Sequence, residues 1–172
     1  VGSEMCIRDS YRTNVFAMAY TFHGFIEPMT KRGRGKLVGI ASVSGIRGLP
    51  GSEAYGASKS AVITYNESLR VGLRKTGIKV QTISPGFVRT PLTSANPYKM
   101  PFVLTPDEFA EPAVKTIDSD ASYRTIPWQM GLLAKAMRIA PNCLWDKIVA
   151  NRKQKPRLAD KQKAEAEAAQ RK

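Results

Sequence analysis

Three residues whose side chains can handle a proton lie close together in the middle of the chain. Ser42 follows a strand-like apolar run over 37–41, and Tyr55 comes thirteen residues later. Lys59 follows Tyr55 by four residues, near the start of a helix predicted over 54–76. Residues i and i+4 lie on the same face of a helix, and open parallel sheets bind ligands at the carboxyl ends of their strands. We therefore expect the serine hydroxyl, the phenol and the ammonium group to meet in one cleft.

Proton transfer is the chemistry that such a group would serve. A free tyrosine has a pKa of about 10 and is a poor base at neutral pH, but a nearby positive charge lowers that pKa. A tyrosine tuned in this way can exchange a proton with an alcohol or carbonyl oxygen, which a serine hydroxyl can hold in place. The Tyr55–Lys59 spacing alone also fits an ordinary helix start with a half-buried tyrosine and a solvated lysine.

Two further motifs occur in order with these residues. Asn14 lies in the run TNVFAMAY, and residues 85–90 read PGFVRT. With the serine, tyrosine and lysine, they make the chain resemble the short-chain dehydrogenase/reductase family over about residues 11–128. YxxxK alone is a weak signal, whereas matched elements in the right order are a strong one.

The resemblance implies a catalytic role for four residues. Tyr55 would be the acid/base, and Lys59 would lower its pKa and bind the nicotinamide ribose. Ser42 would position the substrate oxygen, and Asn14 would hold a water that relays protons to the lysine. For Asn14, a helix-capping role is the alternative.

The same resemblance implies a cofactor contact after the next strand. The backbone at Val88 and the hydroxyl of Thr90 would contact the carboxamide of NAD or NADP, and the sequence does not distinguish these two cofactors. Pro85 and Gly86 would end the strand and let the backbone approach a ligand. The alternative is a plain turn. Residues 91–104 would form a substrate lid, a kind of segment that changes shape as substrate enters.

The order of predicted elements indicates an α/β fold, the C-terminal part of a Rossmann-like doubly wound parallel sheet with extra C-terminal helices. The apolar strand over 37–41 is predicted to be covered on both faces. The helix over 54–76 would be capped by Gly77, and a strand over 78–84 would complete a βαβ unit. A helix capped by Thr105 and a last strand over 122–128 follow.

The flanking segments divide the chain further. A helix over 13–30, which Pro28 would end or kink, includes His23, read as structural. Residues 1–10 are predicted to be extraneous, and 11–128 to form the partial catalytic domain. Two amphipathic helices are expected over 129–155, to cover the cleft, to bind a partner or to lie on a membrane. A basic, flexible tail over 156–172 is predicted to be solvated.

A glycine-rich turn between a first strand and helix, which would bind the cofactor pyrophosphate, is missing. The glycines at 45, 48 and 51 lie in a different place. We therefore expect an N-terminally truncated fragment that is inactive alone and has an exposed sheet edge.

Composition excludes several other classes. The chain has 172 residues, 42% of them apolar, enough for one domain with a core. Cys6 and Cys143 suggest neither a disulfide framework nor a metal site, which suits the cytoplasm. The net charge of +13 is partly in the tail, and no nucleic-acid-binding motif accompanies it.

The function predicted from sequence is that of an NAD(P)-dependent oxidoreductase acting on a small carbonyl or alcohol substrate. A serine hydrolase is disfavoured, because Ser42 lies in no GxSxG elbow. The resemblance implies a homo-oligomer through the helices at 13–30 and 54–76. Two alternatives stay open: a non-catalytic Rossmann-like interaction domain, and a peripheral membrane reductase acting on lipid-like substrates.

Overall fold

The computed structural model describes residues 4–94 and 99–150 of the chain. Its sheet has three parallel strands in the order β1 (Gly35–Ile40), β2 (Ile78–Pro85) and β3 (Tyr123–Ile126). The helices are α1 (Glu4–Tyr11), α2 (Ala17–Lys31), α3 (Glu53–Gly72), α4 (Pro91–Ser94), α5 (Pro106–Asp118), α6 (Trp128–Ile139) and α7 (Asn142–Val149). A π-helical turn, Arg12–Phe16, joins α1 to α2, and a 3₁₀ turn, Val43–Gly45, follows β1.

The two faces of the sheet carry separate apolar clusters. One face packs against α2 and α3 through buried Phe22, Leu37 and Val80. The other face packs against α5 through buried Ile83 and Ala113. Because burial of apolar surface is the main stabilising contribution, these clusters hold helices on both sides of the strands. The α/β fold with a parallel sheet is confirmed.

The first strand is covered on both faces, as predicted: Leu37 packs in the cluster beside α2 and α3, and Val38 packs against the cluster of Ile83 and Ala113. β1 is an outer strand of the described sheet, and Ile40 at its end is 47% exposed. The central strand β2 is more completely covered, because its side chains are almost all buried.

One predicted helix end agrees with the structure and one is wrong. α2 ends at Lys31, one residue beyond the predicted end, with Pro28 in its last turn. α3 ends at Gly72, and its C-cap is Leu73 rather than Gly77. Gly77 has a φ of 78°, a conformation that favours glycine, and it lies in the turn into β2. A Cβ there would overlap the Gly33 carbonyl.

The segments beyond the second strand follow the predicted chemistry more closely. Thr105 and Glu108 form a capping box at the start of α5, as the predicted cap requires. β3 is shorter than predicted, because α6 begins at Trp128. Residues 151–172, including the predicted tail, lie outside the described residues. Within the described ranges, none of the helices has the length and apolarity that a membrane crossing requires.

Candidate active site

The first turns of α3 present Tyr55 and Lys59 together. The ammonium nitrogen of Lys59 lies 5.9 Å from the centroid of the Tyr55 ring, as residues one turn apart should. The same nitrogen donates a hydrogen bond of 2.9 Å to the carbonyl of Ile40 at the end of β1. Burial lowers the pKa of Lys59, because desolvation disfavours the charged form. Tyr55 is 41% exposed, so the phenol is open to a ligand.

Ser42 lies at the same end of the sheet, two residues after Ile40. It is buried, and its Oγ accepts a hydrogen bond of 3.2 Å from the backbone N–H of Ser44. The 3₁₀ turn that it caps rests on α3: a Cβ added to Gly45 would come within 2.6 Å of the carbonyl carbon of Lys59. The glycine thus permits the close approach of the turn to the helix that carries the tyrosine and lysine.

Asn14 reaches α3 from the preceding helical segment. Its Nδ2 donates a hydrogen bond of 2.9 Å to Oγ of Ser58. Ser58 in turn donates to the carbonyl of Tyr55 at 2.8 Å. Asn14 lies in the π-helical turn rather than at a helix start, which excludes the capping alternative. Turns of this kind occur frequently at functional sites, and this one connects Asn14 to the helix turn between Tyr55 and Lys59.

Ser58 was not among the site residues predicted from the sequence. It is fully buried and links the predicted asparagine to the backbone of the predicted tyrosine. The sequence holds a weak signal, a small polar residue three positions after the tyrosine, but no spacing rule marks it.

The segment after β2 is held by a second residue that sequence reasoning missed. The hydroxyl of Thr93 donates to the carbonyl of Val88 at 2.7 Å and accepts from the N–H of Thr90 at 2.9 Å. The two threonine oxygens lie 3.3 Å apart. Thr93 therefore fixes the turn that presents the Thr90 hydroxyl, which was predicted to contact the cofactor.

Pro85 and Gly86 end β2 as expected, but the space beside Gly86 is filled by the protein. Its N–H donates to the carbonyl of Ile126 at 2.7 Å. An added Cβ would lie 2.8 Å from Cγ of Met130 and 3.2 Å from Cδ of Pro127. Close packing against the start of α6 is thus a sufficient reason for glycine at this position.

The donor set fits one end of a nicotinamide dinucleotide. An ammonium group has three N–H donors, and the Ile40 bond uses one of those on Lys59. The other two, with the Thr90 hydroxyl, suit a ribose and a carboxamide. The glycine-containing loop before α3 does not suit a pyrophosphate, because the Glu53 carboxylate at that helix start accepts the N–H of Gly51 at 3.1 Å. A carboxylate at this point repels a phosphate.

A comparison with protein families decides the class of the protein. Residues 2–100 match the family model described as short chain dehydrogenase. The chain belongs to the short-chain dehydrogenase family. The match includes residues 2–10, which the sequence analysis placed outside the domain, and that division of the chain stays a prediction.

A curated relative and two solved structures agree with this assignment. An uncharacterized oxidoreductase of Myxococcus xanthus is 40% identical over 140 residues, which cover 81% of this short-chain dehydrogenase and 55% of the relative. A short-chain dehydrogenase from Burkholderia cenocepacia, solved with NADP, aligns with a TM-score of 0.72 and 17% identity over 83% of this chain and 59% of its own. Another short-chain dehydrogenase, from Sphingobium yanoikuyae and solved with NADPH, aligns with a TM-score of 0.63 and 23% identity. The alignment covers 82% of this chain and 55% of that one.

These likenesses confirm the predicted family and the Rossmann-like fold. This short-chain dehydrogenase chain spans about half the length of the curated relatives it matches. The roles of its individual site residues stay predictions.

Proposed function

We propose that this short-chain dehydrogenase carries the catalytic residues of an NAD(P)-dependent oxidoreductase that interconverts a carbonyl and an alcohol. The main observation in support of this proposal is the position of the Lys59 ammonium group. It lies near the Tyr55 ring and bonds to the carbonyl of Ile40, two residues before Ser42. One cation therefore adjoins both the proposed proton donor and the strand end that delivers the proposed substrate anchor.

Each residue has a separate task in the proposed reaction. During reduction, the Tyr55 hydroxyl gives its proton to the carbonyl oxygen, and the positive charge of Lys59 stabilises the phenolate that results. Ser42 accepts the N–H of Ser44, which leaves its own O–H to donate to the substrate oxygen. Asn14, bound to Ser58, supports the proton relay to Lys59. A nicotinamide bound beside these residues would supply or receive the hydride.

The cofactor is proposed as a class, a nicotinamide dinucleotide. The two solved structures above hold NADP and NADPH, which supports the class for this chain. Lys59 and Thr90 would hold the nicotinamide end, with Val88 in the same turn. Both NAD and NADP are compatible with these residues, because they would contact only the nicotinamide end. The two cofactors differ at the other ribose, which carries the adenine.

We propose further that activity requires residues upstream of this chain. The chain covers 55% of its Myxococcus xanthus relative, and its own glycine-rich loop does not suit a pyrophosphate. A strand and glycine-rich turn encoded upstream would complete the site. In a fluorescence titration with NADPH, this chain alone should then show no saturable binding, whereas the full-length protein should bind NADPH saturably.

The decisive experiment replaces Tyr55 with phenylalanine in the full-length protein. Tyr55→Phe should lower kcat for reduction of 2,3-butanedione by at least about 100-fold, the size typical of general acid catalysis. The Kd for NADPH should change by less than about twofold, since the ring stays in place. Tyr20→Phe is the matched control, because Tyr20 is 76% exposed on α2.

Two results would count against the proposal. A Tyr55→Phe variant that keeps most of the wild-type rate would remove the role given to Tyr55. Failure of the full-length protein to bind either NADH or NADPH would favour the non-catalytic interaction domain instead.

A second candidate function rests on the surface of the C-terminal helices. Ile139 on α6 is 83% exposed, and Leu144 and Ile148 on α7 are 48% and 60% exposed. With Lys135 and Lys147 on the same helices, these residues suit a reductase that binds an anionic membrane surface. Co-sedimentation with phosphatidylserine vesicles tests this: Ile139→Ser with Ile148→Ser should abolish it, and unchanged co-sedimentation would contradict it.

A further inference from the structure

The loop between Ser42 and Tyr55 is attached to the two C-terminal helices, α6 and α7. We call residues 46–52, which join the 3₁₀ turn to α3, the joining loop. The carbonyl of Ile46 accepts a hydrogen bond of 3.3 Å from Nη1 of Arg138. The carbonyl of Gly48 accepts one of 3.1 Å from Nε1 of Trp145. Helices α6 and α7 therefore hold the loop on both sides of Arg47.

Arg47 itself makes the densest set of these contacts. Its Nη1 lies 2.9 Å from the carbonyl oxygen of Ala140 and 3.2 Å from that of Met137, both at the end of α6. Its Nη2 donates to Oδ1 of Asn142 at 2.8 Å. A cation is favoured at a helix C-terminus, where carbonyl groups lack helical partners. The planar guanidinium also matches several acceptors at once.

The contact has an aromatic component as well. The guanidinium carbon of Arg47 lies 5.4 Å from the centroid of the Trp145 ring, within the range of a cation–π interaction. Trp145 is 8% exposed, so the ring is packed rather than mobile on the surface. Arg47 thus lies between the corner of α6 and α7 and a buried indole.

The joining loop needs such an external attachment. It contains Gly48 and Gly51, and the latter has a φ of 76°. Glycine gives the backbone many conformations, and each conformation that the fold must exclude costs entropy. The loop begins four residues after Ser42 and ends three before Tyr55, so its conformation helps to set the separation of these side chains.

We infer that Arg47 is a positioning residue, which holds the joining loop against the corner of α6 and α7. It thereby keeps the side chains of Ser42 and Tyr55 at the separation that proton transfer requires, which we call their register. The inference rests on the proposed function, because it assigns a purpose to that register. It also gives the C-terminal helices a role in catalysis without any contact to substrate or cofactor.

The test compares Arg47→Ala with Arg47→Lys in the full-length protein, and Arg74→Ala is the matched control. Arg74 is exposed in the turn after α3, and its guanidinium donates to the carbonyl of Val71 in the last turn of that helix. For NADPH-dependent reduction of 2,3-butanedione, Arg47→Ala should lower kcat/KM by about 10- to 100-fold, the loss expected from a small misplacement of reacting groups. The Kd for NADPH should stay within about twofold, since the lysine site is intact.

Arg47→Lys should restore only part of the loss, because a single ammonium group replaces the fork and its stacking. All rates should be measured well below each variant's Tm, so that a loss of folded protein does not imitate a loss of register. A reduced kcat/KM with an unchanged Kd for NADPH supports positioning. Equal losses in both, or full activity in Arg47→Ala, would overturn it.

Hydrogen exchange separates this inference from the proposed function. Amides of residues 43–56 should exchange faster in Arg47→Ala than in wild type, with the strands unchanged. Unchanged exchange overturns the attachment whatever the activity. If wild type reduces no carbonyl compound and binds no cofactor, the proposed function fails and the positioning role fails with it, while faster exchange would show that the attachment itself is real.

Discussion

Two neighbouring segments leave the carboxyl end of the sheet, and different kinds of contact hold them. The joining loop after β1 is bound by Arg47 and Trp145 across 90 and 97 positions of sequence. The turn after β2 is bound by Thr93, whose hydroxyl contacts Val88 and Thr90, five and three positions away. Both segments border the proposed site.

The difference bears on how each segment tolerates change. A turn closed by its own side chains keeps its shape as long as its local sequence is kept. A glycine-containing loop held by remote helices depends on residues that contact neither substrate nor cofactor. The proposed site therefore joins a local half, which would bind the nicotinamide, to a tertiary half, which would set the position of the proton donor.

The largest predicted effect concerns Lys59, which joins the two halves. Lys59→Met removes both the charge beside Tyr55 and the bond to Ile40. In the full-length protein it should lower kcat/KM for 2,3-butanedione by at least about 100-fold. Lys75→Met, at an exposed position beyond α3, is the control and should stay within about twofold of wild type. A Lys59→Met variant with near-normal activity would place the chemistry elsewhere.

A smaller but still large effect is expected at the turn under the joining loop. A Cβ on Gly45 would lie 2.6 Å from the backbone of Lys59, whereas a Cβ on Gly48 meets nothing within 4 Å. Gly45→Ala should therefore destabilise the protein by about 1–3 kcal/mol and lower kcat/KM by about tenfold. Gly48→Ala should change neither. Urea denaturation and steady-state kinetics measure both, and equal behaviour of the two alanine variants would contradict the packing argument.

Local sequence was sufficient to predict most of the fold and part of the site. The strand–helix–strand order is visible in apolar runs, and Thr105 with Glu108 is a capping pattern that acts within four residues. The shared face of Tyr55 and Lys59 follows from helix periodicity alone. These predictions succeeded because each depends on residues that are close in sequence.

The rest depends on partners that are distant in sequence. Ser58 matters only because Asn14, 44 positions earlier, lies opposite it. Arg47 reads in the sequence as an ordinary loop cation until α6 and α7 fold against it.

A moderate effect should arise from the local half of the site. Thr93→Val keeps the shape of the side chain but removes the hydroxyl that holds Val88 and Thr90. The KM for NADPH should rise by about fivefold, the loss expected from roughly one hydrogen bond, with little change in kcat. Thr21→Val is the control, because the Thr21 hydroxyl bonds only to its own helix at the Ala17 carbonyl. A fall in kcat with KM unchanged would mean that Thr93 acts on the tertiary half instead.

The smallest predicted effect is a pH dependence of the free energy of unfolding, which arises from the burial of Lys59. Because burial lowers the pKa of Lys59, the folded state releases this proton at a lower pH than the unfolded state, whose lysine pKa is about 10.4. Between those two pKa values the unfolded state binds more protons, so stability rises with pH. The free energy of unfolding of wild type relative to Lys59→Met should therefore increase from pH 7 toward about pH 10. Urea denaturation across this range measures it, with Lys75→Met as the reference for loss of an exposed charge. A relative stability that instead falls with pH would mean that the fold favours the ammonium form, and the half-buried position of Lys59 would then not be what tunes the site.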